Sequence, residues 1–75
     1  MIRVYLDQYY KKYNSDAGIV RAKAELEMWL HSRKAKTEWG LIMWRPQVPL
    51  CLYFYDHEDA IAFIFTYGIK RYVTT

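Results

Sequence analysis

Hydrophobic and polar positions alternate from Met1 to Leu6, with Ile2, Val4 and Leu6 on one side and Arg3 and Tyr5 on the other. A period of two predicts a half-buried strand with its aliphatic side towards a core. After Ser15 the period lengthens to three and four. Ile19, Ala22, Leu26, Trp29 and Leu30 then make the apolar stripe of a helix. Asn14, Ser15 or Asp16 can cap that helix. It is expected to run to about Lys36, with His31, Arg33, Lys34 and Lys36 at the end where cations suit the dipole. Arg21 and Glu25, Lys23 and Glu27, and Glu27 and His31 stand four apart on its solvated side. Between strand and helix, Asp7 to Asn14 (DQYYKKYN) has no clear period and is expected to be a connecting loop. Glu38 to Trp44 (EWGLIMW) predicts a second strand, too apolar to be exposed on both faces. Arg45-Pro46-Gln47-Val48 predicts a turn, and Pro49 the start of a third strand.

Leu50 to Gly68 (LCLYFYDHEDAIAFIFTYG) is the most ordered pattern of the chain. Leu50, Leu52 and Phe54 share one side of a strand, and Cys51, Tyr53 and Tyr55 the other. Asp56 is placed to cap a helix to Tyr67, with Glu58 and Asp59 in its acidic first turn and Gly68 as its stop. Ile69 to Thr74 predicts a short last strand. The order is strand, helix, strand, strand, helix, strand. With right-handed crossovers this predicts an α+β fold: a ferredoxin-like βαββαβ two-layer sandwich, its four-stranded antiparallel sheet carrying two helices on one face.

Residues 1–75 suffice for one domain, near the lower size limit for a core without staples. Cys51 is the single cysteine, which excludes a disulfide framework and favours a reducing, cytoplasmic setting. MIRVYLDQ lacks the features of a signal peptide, and no apolar run approaches the ~18–20 residues of a membrane span. Aromatic residues make up 19% of the chain, more than a minimal core uses, so some are expected at a binding face or oligomer interface. The net charge of +3 is concentrated in residues 1–37, with eight Lys/Arg against four Asp/Glu, a balance compatible with an anionic partner.

With the aliphatic sets turned to the helices, Arg3, Tyr5, Cys51, Tyr53, Tyr55, Lys70 and Tyr72 are expected on the open face of the sheet. Val4-Tyr5-Leu6 and the alternate aromatics Tyr53 and Tyr55 resemble the two strand motifs of the RNA-recognition motif, which shares the topology. That resemblance implies base stacking on Tyr5, Tyr53 and Tyr55. The glycines and the basic residue of the longer family motif are absent around Pro49 to Tyr55. Tyr9-Tyr10-Lys11-Lys12-Tyr13 interleaves rings with charge, as a single-strand binder does, or folds its rings onto the core edge. On the second helix Ile61 and Phe65 add apolar surface beyond one buried face, which implies cover by the first helix or by another chain. Asp56, His57, Glu58 and Asp59 point in different directions and do not converge on a metal. Neither His31 nor His57 forms a recognisable nucleophile motif with Cys51, and Gly18, Gly40 and Gly68 are isolated, which excludes a glycine-rich phosphate loop.

The run FYDHEDAIAFIFTYG, Phe54 to Gly68, resembles small uncharacterised phage-encoded proteins in which a strand is followed by an acidic pair, Asp-Ala, a Phe-rich helix and a terminal aromatic-Gly. The resemblance implies a phage accessory protein that binds a host factor. The expectation is a non-enzymatic interaction protein without cofactor or metal. It acts by steric occlusion of a host protein or as a homodimer, through Tyr5, Tyr53, Tyr55, Tyr72, Ile61 and Phe65. The alternative is RNA or single-stranded DNA binding, with Arg3, Lys11, Lys12 and Lys70 at phosphates.

Overall fold

Alternation at the start of the chain and in its middle brings two aliphatic strands together. In the computed structural model, which describes residues 1–74, Ile2 lies opposite Phe54 and Val4 opposite Leu52. The elements in chain order are β1 (Ile2–Tyr5), α1 (Asp7–Tyr10), α2 (Asp16–Arg33), β2 (Thr37–Trp39), β3 (Met43–Arg45), β4 (Val48–Pro49), β5 (Cys51–Phe54), α3 (His57–Tyr67) and β6 (Tyr72–Thr74). The fold is α+β. Its main sheet is antiparallel in the order β2-β5-β1-β6, and β3 pairs with β4 in a separate hairpin. Ile2, Val4, Leu52 and Phe54 join Ile19, Ala22, Leu26 and Leu30 of α2 and Ala60 and Phe63 of α3 in one buried cluster. Each larger side chain so buried contributes roughly 1.5–3 kcal/mol. Rings tie the layers together: Phe63 lies 5.1 Å from Phe54 below it and 5.6 Å from Trp29 of α2.

The helix starts follow the capping residues. Ser15 accepts from the Gly18 N–H at 3.0 Å, and Asp56 from the Glu58 N–H at 2.9 Å. Gly68 closes α3 in the left-handed region at φ 64°. The end of α2 differs from the expected Lys36. Lys34 takes the left-handed position at φ 58°, and the Ala35 N–H reaches back to the Leu30 carbonyl at 3.0 Å. Half-buried Ala35 packs on the core, the apolar contact that accompanies this kind of helix stop.

Three further stretches depart from the sequence pattern. Asp7 to Asn14 is not a plain loop: it opens with the single turn α1, which buries Tyr9 and Tyr10 in the core. The predicted strand Glu38–Trp44 breaks after Trp39. The Gly40 N–H bonds the Cys51 carbonyl at 2.9 Å, and a Cβ there would stand 2.6 Å from the Cys51 Sγ. Leu41 and Ile42 then leave the sheet and the chain re-forms as the β3–β4 hairpin. Its turn uses Pro46 at the second position and Gln47 at φ 63° at the third, the positive φ of a type II turn. Pro49 therefore belongs to the hairpin, and β5 begins at Cys51. Finally, Ile69 does not start the last strand. It is buried, with its N–H on the Ile64 carbonyl, and β6 begins at Tyr72.

Candidate interaction surfaces

Register decides which side chains share the open face. Glu38, Tyr53, Arg3 and Val73 stand opposite one another across all four strands, and Tyr5 stands opposite Cys51 in the next row. Tyr5, Tyr53 and Arg3 are thus brought together as the sequence pattern predicts. Tyr72 is not: it pairs with Val4 and lies on the opposite side of the sheet. The cause is the late start of β6, since Ile69 turns into the core and the links that follow reset the alternation. Tyr55 stands just past the end of β5 and donates to Glu38 Oε2 at 2.6 Å, which holds its phenol above the ordinary value. The Tyr53 hydroxyl, beside the Arg3 guanidinium, likewise raises the pKa of Arg3.

The Tyr5 ring is occupied by cations. Arg3 lies 5.3 Å and Arg71 4.5 Å from its centre, and Arg71 also pairs with Asp7 at 3.3 Å. Arg71 is missing from the sequence-based candidates because alternation with Lys70 and Tyr72 in the predicted strand Ile69–Thr74 turned it away from the open face; in the structure it precedes β6, and the Tyr5 N–H bonded to its carbonyl seats it there. Beside this pair opens a cleft of about 340 Å³ between β1, α1 and the α3–β6 link, lined by Tyr5, Tyr9, Lys12, Tyr67, Lys70 and Arg71. Two predicted phosphate contacts, Lys12 and Lys70, meet here; Arg3 and Lys11 are not part of its lining. The Lys12 ammonium sits 4.6 Å from the centre of the Tyr9 ring.

Besides dispersed exposed side chains such as Val20 and Met28 of α2 and Val73 of β6, apolar side chains are grouped at two other places. On α3, Ile61 and Phe65 are one turn apart and both exposed, Phe65 at 82%. The second place was hidden in the predicted strand: Leu41 is 94% exposed, Ile42 69%, and Met43 half exposed. A second cavity of about 300 Å³ adjoins them, lined by Met1, Glu38, Trp39, Gly40, Leu41, Ile42 and Tyr53. Comparison with protein-family models, curated proteins and solved structures gives no match. The signal that could have exposed Leu41 and Ile42 was Gly40, which interrupts EWGLIMW after its third residue. The hairpin beyond them is held to α2 and α1. Arg45 pairs with Asp16 at 2.8 Å, Trp44 stacks on Tyr10 at 5.9 Å and 13°, and Val48 is buried. No helix among the described residues is long and apolar enough to cross a membrane.

Proposed function

We propose that this chain is a non-enzymatic interaction protein that docks on another protein through the aliphatic knuckle Leu41–Ile42–Met43. The frame is a ferredoxin-like βαββαβ sandwich with α1 and the β3–β4 hairpin added. The strand order, with β1 and β5 central, supports that reading. The observation that carries the docking role is the knuckle itself: three consecutive large apolar residues outside the core, on a segment braced at both ends. Exposed apolar surface of this kind marks an interaction site. The resemblance of Phe54–Gly68 to phage-encoded proteins favours a host protein as the partner, its own site occluded by the bound chain.

Base stacking on Tyr5, Tyr53 and Tyr55 is the alternative, and the cations seated on Tyr5 and the Tyr55–Glu38 hydrogen bond weigh against it. The test uses nuclease-treated lysate, with the wild type beside Leu41→Asp/Ile42→Asp and Phe65→Asp as bait. Any protein retained is then purified and titrated. Docking at the knuckle predicts one stoichiometric partner, a negative heat-capacity change, little salt dependence, and loss in the Leu41/Ile42 variant alone. Unchanged capture by that variant, loss only with Phe65→Asp, or self-association of the wild type in place of a partner would each overturn it.

A further inference from the structure

We infer that the cleft between β1, α1 and the α3–β6 link is a binding site for a nucleoside monophosphate unit. The cleft shares no lining residue with the cavity at the knuckle, so the two readings stand independently. Three cations border it, and their balance with nearby carboxylates is uneven. Asp7 is engaged by Arg71, while neither Lys12 nor Lys70 has a carboxylate partner among the described residues. Glu25 adds a negative charge near Tyr67, whose phenol is held above its ordinary value by burial first and by that carboxylate second. Two uncompensated ammonium groups match the charge of a dianionic phosphomonoester, and ion pairing to phosphate is strongest where the cations are already assembled.

The remaining lining selects what the phosphate is attached to. The Arg71 guanidinium, seated on the Tyr5 ring at 4.5 Å, and half-buried Tyr67 present planar and aromatic surface within the same cleft, suited to a flat heterocycle that packs on the guanidinium rather than on the Tyr5 ring itself. The volume of about 340 Å³ lies at the small end of ligand pockets, ~300–1,000 Å³, and suits a single nucleotide unit. That unit can come from a free nucleotide or from the end of a single strand, and the chemistry recognised is the same.

The full chain is titrated with adenosine monophosphate, adenosine, inorganic phosphate and a 5′-phosphorylated single-stranded octanucleotide. Adenosine monophosphate is expected to bind at least about tenfold more tightly than adenosine or phosphate alone, and to weaken as salt rises. Lys12→Glu/Lys70→Glu should lose about tenfold or more of that affinity with an unchanged melting temperature, both residues being exposed. Leu41→Asp/Ile42→Asp should leave it intact, which separates failure of this site from failure of the docking surface. An octanucleotide that binds far more tightly than the mononucleotide identifies a strand end as the source; equal affinities identify the free nucleotide. Phosphate binding as tightly as the nucleotide, no saturation below about 1 mM, or full affinity in the lysine variant would overturn the assignment.

Discussion

The Tyr10 hydroxyl is buried and has no hydrogen-bond partner among the described residues, although its ring fills the core and stacks on Trp44. An unpartnered buried hydroxyl costs stability while the ring contributes it. Tyr10→Phe is therefore expected to keep or raise the urea midpoint, and a loss above about 1 kcal/mol would show that the hydroxyl is used. Burial also pushes the phenols of Tyr9 and Tyr10 above their ordinary value of 10.0. Below that value neither the folded nor the unfolded state is ionised. Above it the unfolded chain gives up protons that the folded one retains, so stability falls as pH rises. Urea midpoints at neutral pH and at pH about 11 should show this decline, shallower in Tyr10→Phe. Gly40 is the other residue with a sharp requirement. Gly40→Ala should cost about 1–3 kcal/mol, and Cys51→Ala in the same chain should recover part of it by removing the sulfur in the way. Neither requirement was legible in sequence. Packing of the DQYYKKYN rings onto the core edge was one of two alternatives, but nothing in the run says that the Tyr10 hydroxyl is the one left buried without a partner among the described residues, and an isolated glycine names no neighbour.

At the scale of elements, the caps and stripes were legible because each is a local physical demand. Ser15, Asp56 and Gly68 do what their positions imply, and the stripe of α2 is buried at Ile19, Ala22, Leu26 and Leu30. Ser15→Ala should cost about 1 kcal/mol, read as a lower melting temperature with unchanged helix content at low temperature. The stop of α2 was not legible, because the left-handed position is filled by a lysine. Lys34→Gly should stabilise the chain by up to about 1 kcal/mol, since it removes a side-chain clash at φ 58° and leaves the backbone bonds in place. A loss of stability would mean that the Lys34 side chain contributes more than its backbone strain costs. Gly40 marked a candidate break in Glu38–Trp44, but the path of the chain beyond it and the inward turn at Ile69 were illegible for a different reason. Apolar composition fixes that a segment avoids water, and only tertiary contacts decide which residues manage it.

Over the whole molecule, the predicted α+β class and antiparallel sheet are present, and the candidate surfaces were legible only in part. Tyr5, Tyr53 and Arg3 were placed together by alternation alone. Leu41, Ile42 and Arg71 emerged only with the folded chain, because each lies in a link whose direction no periodicity reports. The same links join separately held parts: the hairpin rests on α1 and α2, and α2 meets α3 through Trp29 and the Arg33–Asp59 pair at 2.7 Å. Trp29 and Trp44 lie at these joints and Trp39 at the joint of the β2 sheet edge with α2, each under a cation: Arg33 over Trp29, Lys23 over Trp39 and Arg45 over Trp44. The chain thus contains three intrinsic fluorophores, one at the helix pair, one at the sheet edge and one in the hairpin. Replacing two at a time with phenylalanine would give each joint its own emission signal. Hairpin release, edge fraying and helix separation could then be timed separately in a single unlabelled protein.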